Sequence, residues 1–365
     1  MISITNAYFA GIANEVALGK ITGDTLHRKS RKFWLYYIII ILIVCKKSLK
    51  KKNYIIVNGK MERKINSYDK DSRCPIYYGL VQRSISELRH MYTVVSEFSI
   101  LERIKIACRA IRTYLVINDK NGELIYWIDL CFWSEWIKRI KPESIKTYGH
   151  FDRLTTEISV LSQIYGYKFI IQQHGILGSR CIIDKKLHCD EVFAFNEIEL
   201  SNFRKNVIAN SNCKLKIKYI NTTNFERITE KDNLFTIGIV DQPIDGMAQL
   251  VCNIVEKFPD VLIFIMLHPR SKNKTYSCLS GKNNVRILKQ RKILDVDVLI
   301  TMTSTLFWDY IYNGYDKKII IAQPNSILKE YGTTYKNIYY ANKITDVIVI
   351  IQNEIELSNH SEKLR

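Results

Sequence analysis

The sequence predicts an α/β fold made of two successive strand–helix series, and three observations carry that prediction. Residues 142–177 read as a strand–helix–strand unit. A second alternating series begins at Phe235 to Val240. Within it, two apolar runs end in polar residues: Val261 to Leu267 closes on His268-Pro269, and Val298 to Ile300 on Thr301-Met302-Thr303-Ser304-Thr305. Strand–helix–strand units make parallel sheets, and polar residues ending neighbouring strands at one sheet edge make a ligand site.

Taken in order, residues 1–32 show weak periodicity and are expected to be poorly ordered. A 13-residue apolar run, Phe33 to Cys45, is flanked by His27-Arg28-Lys29-Ser30-Arg31-Lys32 and Lys46-Lys47-Ser48-Leu49-Lys50-Lys51-Lys52. It is short for a membrane-spanning helix, which needs ~20 residues. Three placements stay open for it: a buried element with basic flanks, an interfacial anchor held by anionic lipid, or a span. A secretory signal is not expected, because the leading segment is long and lysine replaces the small-residue cleavage site. Tyr54 to Val57 reads as a strand. Residues 81–113 read as helical through Ile85, Leu88, Tyr92, Ile100, Ile104 and Ala107. Tyr114 to Ile117 ends a strand or helix before the turn at 118–122, and Ile125 to Ile140 reads as a buried helix.

In the 142–177 unit, strand Ser144 to Tyr148 ends at Gly149-His150-Phe151-Asp152. Helix 153–165 stops at Gly166, and strand Tyr167 to Ile171 ends at Gln172-Gln173-His174-Gly175. Strand Val192 to Phe195, helix Glu197 to Ala209 and strand Lys214 to Ile220 follow. The polar stretch 221–233 reads as the interdomain linker. Beyond it come strand 235–240, helix 247–258, strand 261–267, a loop at 271–284, strand 285–288, strand 298–300, helix 304–313 and strand 319–321. The domain expectation is a basic and apolar segment at 1–52, a Rossmann-like domain at 53–225, a second at 233–345 and a helix or tail at 346–365.

Composition sets bounds on function. The chain has 365 residues, 47% hydrophobic and 25% charged, which allows a large core and more than one domain. A net charge of +18 and a pI near 9.4 favour polyanionic partners: nucleic acid, an anionic membrane face or phosphorylated substrates. Nine scattered cysteines argue against a disulfide framework and for a reducing compartment. No Gly-x-Gly-x-x-Gly follows a strand, and there is no Walker loop and no Gly-x-Ser-x-Gly. Dinucleotide enzymes, Walker-type ATPases and common serine hydrolases lose ground.

Several residues stand out as chemistry-bearing. His174 ends a strand beside Gly175, where an imidazole suits general-base work. Asp152 suits a helix cap, and alternatively orients His174 or binds the acceptor. His268, Pro269 and Arg270, with Thr303, Ser304 and Thr305, suit a phosphate. Asp295 and Asp297 form an Asp-x-Asp pattern, but they precede a strand and read as its solvated edge. Cys181, His188 and Cys189 lack a fourth zinc ligand. No metal site is expected.

The order of a strand ending in His-Gly, a linker, a strand ending in His-Pro and then Ser-Thr before a helix resembles bacterial surface-polysaccharide glycosyltransferases of the GT-B fold. The pattern is similar to the bacterial sialyltransferases of capsule and lipooligosaccharide, and to the glycerophosphotransferases that polymerise teichoic acid. It covers roughly 142–325. The resemblance implies two Rossmann-like domains facing across a cleft. It implies nucleotide and phosphate contacts at His268, Pro269, Ser304 and Thr305. Where the sialyltransferases carry an acidic motif, this chain carries Gln173-His174-Gly175, similar to the His-Gly of the teichoic acid polymerases.

The resulting expectation is a metal-independent glycosyltransferase of O-antigen or capsule synthesis. A nucleotide-activated sugar, with CMP-sialic acid as one candidate, passes to a lipid-linked glycan. His174 and Asp152 are the expected catalytic residues. Gln242, His268, Pro269, Arg270, Thr303, Ser304 and Thr305 line the donor side, and Gln173 and Gly175 the acceptor side. No cofactor is expected beyond the nucleotide sugar as substrate. The expected location is cytoplasmic, peripheral to the inner face of the bacterial plasma membrane and held by its anionic surface. The alternatives are a CDP-polyol phosphotransferase of the teichoic acid type and a basic nucleic-acid-binding protein. Charge clustered beside an apolar run, without a recognised nucleic-acid module, argues against the second, so no nucleic-acid partner is expected.

Overall fold

The computed structural model describes residues 3–17, 53–57, 74–77, 93–117, 124–149, 152–173, 177, 183–218, 225–226, 234–268, 271, 275–279, 281–288, 293–304, 306–322 and 335–363. The apolar run at 33–45 and the turn at 118–122 lie outside them. The chain divides into two compact units, Met1–Ile220 and Asn221–Arg365. Phe225, expected at the end of the first domain, pairs with Ile293 inside the second unit.

The first unit holds a six-stranded parallel sheet. Its strands are β1 (Asn53–Val57), β2 (Cys74–Tyr77), β3 (Ser144–Thr147), β4 (Lys168–Gln172), β5 (Glu191–Ala194) and β6 (Lys214–Ile217). They lie in the order β2-β1-β3-β4-β5-β6, so the winding reverses between β1 and β3. Helix α1 (Ile4–Ala17) lies where weak order was expected. Its hydrophobic residues do not follow a clean stripe, yet Ala7, Tyr8 and Ile12 are buried. The Tyr8 ring meets Trp127 edge-on at 5.4 Å. Full burial of such a side chain stabilises by about 1.5–3 kcal/mol.

The helical stretch expected at 81–113 is described from Thr93 onward, and it is broken. After α2 (Thr93–Ser96), α3 (Ile100–Ile117) starts afresh. Ser99 and Glu102 form a reciprocal cap: the Ser99 N–H donates to Glu102 Oε2 at 2.7 Å, and the Glu102 N–H to Ser99 Oγ at 3.4 Å. Helix α4 (Leu124–Ile140) buries Trp127, Phe132, Trp133 and Trp136. Helix α5 (Arg153–Tyr165) follows β3, as the sequence predicts. Asp152 caps its N-terminus by accepting from the Thr155 N–H, and Gly166 ends it with φ 74°. Leu154, Ile158 and Leu161 of α5 share one core with Ile145, Phe169, Ile171 and Val192 of the sheet. Helix α6 (Glu197–Asn202) runs into one turn of π-helix, Phe203–Val207.

In the second unit, β8 (Thr236–Val240), β9 (Leu262–Met266), β10 (Val285–Leu288), β12 (Val298–Thr301), β13 (Lys318–Ile321) and β14 (Ile338–Tyr340) form the sheet. Short strands β7 (Phe225–Glu226) and β11 (Ile293–Leu294) pair apart from it. The sheet order is β10-β9-β8-β12-β13-β14. Counted from β8, this is the 3-2-1-4-5-6 order of a dinucleotide-binding sheet, with its switch point between β8 and β12. Helix α7 (Met247–Lys257) buries Met247, Leu250, Val251 and Ile254 in a core shared with Ile237, Ile263 and Ile300. Helix α8 (Leu306–Tyr312) follows β12, and α9 (Ile344–Lys363) follows β14. Among the described residues, no helix is long and apolar enough to cross a membrane.

Candidate active site

Ligands of open parallel sheets bind beyond the carboxyl ends of the strands, at the switch point. In the second unit that place lies after β8 and β12, and a hydrogen bond closes it. The Thr303 N–H, after β12, donates to Gln242 Oε1, after β8, at 2.5 Å. The two predicted donor-side residues Gln242 and Thr303 are thus brought together, both half-buried. Apolar β8 and β12 run side by side in the core, and their first polar residues emerge at the same edge.

His268 emerges beside them at the end of β9 and is half-buried. Its N–H donates to Asp241 Oδ2 at 3.0 Å. Asp241 Oδ1 accepts from the Tyr276 hydroxyl at 2.5 Å. Burial and the adjacent Asp241 carboxylate push the Tyr276 phenol up, so it stays protonated and donates. Asp241 itself is buried, with 1% of its surface exposed.

Ser304 is also buried, and its hydroxyl is spent locally. Oγ accepts from the Leu306 N–H at 3.2 Å, over the first turn of α8, and the Ser304 N–H donates to Thr301 Oγ1 at 3.3 Å. Thr303 is therefore the described hydroxyl residue nearer the open edge. Pro269, Arg270 and Thr305 lie outside the described residues.

The edge of the first unit carries the other predicted residues. Asp152 spends both oxygens on α5: Oδ1 accepts from the Thr155 N–H at 3.0 Å and Oδ2 from the Thr155 hydroxyl at 3.1 Å. Gly149 is required there, since a Cβ would come within 2.2 Å of Asp152 Oδ2. Gln173 is buried. Its Oε1 accepts from the Phe195 N–H at 2.7 Å, and its Nε2 donates to Glu199 Oε2. The same Glu199 oxygen accepts from the Leu177 N–H at 2.8 Å. His174 and Gly175 lie between these two anchors in sequence and outside the described residues.

Asp241, Tyr276 and Glu199 escape a reading of the sequence. Asp241 could have been found, because it directly follows an apolar strand, as His268 does. Tyr276 lies in a loop without periodicity, and Glu199 looks like one more charge at a helix start.

The two acidic and sulfur patterns have local explanations. Asp297 Oδ2 accepts from the Thr236 N–H at 2.9 Å, and Lys317 bridges Asp295 at 3.0 Å and Asp297 at 3.2 Å. Cys189 lies 3.4 Å from Cys213, sulfur to sulfur, in the core. Among the described residues, no group of three His, Cys, Asp or Glu side chains could hold a metal.

Two Rossmann-like α/β units in succession define the GT-B architecture. A solved structure of that kind, the UDP-GlcNAc 2-epimerase from Neisseria meningitidis bound to UDP-GlcNAc, superposes with a TM-score of 0.51 at 12% identity. The match covers 85% of this chain and 93% of that one. It establishes the fold and nothing finer. The lipopolysaccharide outer core galactosyltransferase WaaB gives 0.46 at 12% identity, covering 83% of this chain and 90% of that chain. The glycosyltransferase SnogD from Streptomyces nogalater gives 0.45 at 8%, covering 80% and 87%. No family profile and no curated protein matches the chain.

Proposed function

We propose that the protein is a glycosyltransferase that takes a sugar from a nucleotide-activated donor. The observation that carries this reading is the Gln242–Thr303 hydrogen bond across the switch point of a 3-2-1-4-5-6 sheet, with His268 fixed alongside by Asp241. A nucleotide laid over that edge meets an imidazole, an amide and a hydroxyl where its phosphates leave. Positive and hydrogen-bonding groups placed there stabilise the charge that develops on the leaving phosphate. Arg270 adds a cation to this set. The proposed base is His174, which takes the proton of the acceptor hydroxyl; its neighbours Gln173 and Leu177 are both held by Glu199.

The acceptor in this proposal is a lipid-linked glycan of O-antigen or capsule synthesis. The basic flanks of 33–45 hold the enzyme at the anionic inner face of the membrane. CMP-sialic acid is one candidate donor. His-Gly in place of an acidic motif favours a second reading, transfer of a phospho-polyol from a CDP donor.

A thermal-shift screen of CMP-, UDP- and GDP-sugars and CDP-glycerol tests the proposal, since a ligand that binds the native state raises its melting temperature. Stabilisation by a nucleotide sugar, with loss of the sugar only when acceptor is present, is the expected result. Selective stabilisation by CDP-glycerol moves the assignment to the second reading. Alteration of the donor sugar without acceptor, or no stabilisation by any nucleotide, overturns transfer.

A further inference from the structure

Among the described residues, two pairs of thiols face each other, and they differ in access. Cys189 and Cys213 lie 3.4 Å apart, sulfur to sulfur, both buried in the core of the first unit. Cys252 and Cys278 lie 3.7 Å apart in the second unit, where Cys252 is half-buried and Cys278 is exposed. Free cysteine is among the most buried residue types, so core packing accounts for the first pair. It does not account for the second.

Both sulfurs of the second pair stand on fixed elements. Cys252 lies on α7, which Met247, Leu250, Val251 and Ile254 anchor in the core. Cys278 is the middle residue of a single 3-10 turn, Ser277–Leu279. Tyr276 and Leu279 bracket it, both buried, and the Leu279 N–H donates to the Tyr276 carbonyl at 3.0 Å. Tyr276 is tied in turn to Asp241 through its hydroxyl. The turn therefore holds Cys278 against α7, although the two cysteines are 26 positions apart in sequence. A disulfide needs its sulfurs about 2 Å apart, and turning a cysteine about χ1 closes a gap of this size. Burial, and then the neighbouring Cys278, push the Cys252 thiol up, so it waits protonated while Cys278 meets solvent.

We propose that Cys252 and Cys278 form a redox modification site, which hydrogen peroxide oxidises to a reversible disulfide. The Cys278 sulfur attacks the O–O bond and becomes a sulfenic acid, with release of one water. The Cys252 sulfur then attacks the Cys278 sulfur. The expelled hydroxyl leaves as a second water with the Cys252 proton. Two thiols thus lose two electrons and two protons, and the peroxide is reduced to two waters. Two molecules of a small thiol reverse the bond by exchange and leave as their own disulfide. The disulfide fastens to α7 the loop that carries Tyr276, and so the anchor of Asp241. The proposal stands whatever ligand the second unit takes.

Treating the full chain with hydrogen peroxide, alkylating the remaining thiols and mapping the peptides by mass spectrometry tests it. The expected product is an intramolecular cross-link between the Cys252 and Cys278 peptides, which glutathione removes. In Cys252→Ser, a sulfenic acid at Cys278 should accumulate and be trapped by dimedone. In Cys278→Ser, Cys252 should remain a thiol. The folded chain should form the cross-link about tenfold faster or more than the chain unfolded in urea, because the fold holds the sulfurs together. Oxidation should raise the melting temperature of the parent and leave that of both serine variants where it was. Recovery of both thiols alkylated after oxidation of the folded chain overturns the site. So does equal cross-linking in urea, since the pairing then owes nothing to the structure. Cross-linking of Cys189 to Cys213 in its place overturns the argument from access. A cross-link that leaves the melting temperature unchanged overturns the fastening of the loop.

Discussion

Asp241 holds His268 by its backbone. One carboxylate oxygen accepts the His268 N–H at 3.0 Å while the other takes the Tyr276 hydroxyl at 2.5 Å. The His268 backbone is therefore held by a buried anchor that never needs to touch a ligand. Asp241→Ala leaves two buried donors unpaired and should destabilise the protein by about 3 kcal/mol. Tyr276→Phe, which frees one oxygen and keeps the packing, should cost about 1 kcal/mol. Urea unfolding midpoints measure both, and a Tyr276→Phe loss larger than that of Asp241→Ala would contradict the anchor.

His268→Ala removes the imidazole and leaves the anchoring N–H in place. Nucleotide affinity should drop while the melting temperature of the unliganded protein stays within a degree or two. Calorimetry with the donor found in the screen gives the first number and differential scanning the second. Unchanged affinity removes His268 from the donor edge.

His174→Ala should abolish transfer and spare donor binding, since loss of a general base typically costs ~100- to 10,000-fold in rate. The position argues for it: Gln173 and Leu177 on either side are both held by Glu199. Turnover of the variant near that of the parent would end the assignment, and equal loss of affinity and turnover would make His174 a binding residue.

A buried charge cluster sets a pH dependence. Arg153 donates to Glu157 at 2.8 and 2.7 Å and to Asp129 at 2.9 Å. Burial outweighs the pull of Arg153 and pushes the Glu157 carboxyl up to about 8, from an ordinary 4.5. Between those values the native protein binds more protons than the unfolded chain. The stabilising contribution is complete below the lower value and is lost as pH rises through the upper one. Urea midpoints of the parent should fall from mildly acidic to mildly alkaline pH, and Glu157→Gln should flatten that fall. A parent whose midpoint rises over the same range would contradict it.

Membrane attachment is predicted to be electrostatic. Replacing Lys46, Lys47, Lys50, Lys51 and Lys52 by Gln should reduce binding to phosphatidylserine vesicles, by up to ~1 kcal/mol per charge, and high salt should do the same to the parent. Deleting residues 1–52 outright is the wrong test, because it also removes Tyr8 and Ile12 from the core. Vesicle binding indifferent to salt would exclude the charge mechanism.

The sequence was most readable where local signals agree. Helix α5 has an Asp cap, a helical apolar stripe and a terminal glycine, and both its ends fall where expected. The apolar runs before His268 and Thr301 are likewise core strands. Helix α1 was illegible because its burial depends on α4 and α5, far along the chain. Strand β2 carries a proline, and its Cys-Pro-Ile-Tyr is too short to show alternation. Gln242, His268 and Thr303, proposed for the donor side, could be picked by position, since each follows an apolar strand. Their geometry could not, because the Gln242–Thr303 and Asp241–Tyr276 bonds join residues with no sequence relationship.

Asn14 of α1 donates to Thr156 Oγ1 at 2.9 Å and to the Lys185 carbonyl at 2.9 Å, and its Oδ1 accepts from the Lys185 N–H. The last pair is 171 positions apart. At a ribosome adding 5–20 residues per second, α1 waits roughly 10–35 s for the partner that satisfies it. For the first part of that interval Tyr8 also stays uncovered, since its distant ring partners Tyr114 and Trp127 have yet to be made. The N-terminal unit therefore closes late and from both directions, and the emerging polypeptide is a natural client for chaperones that shield such faces during translation.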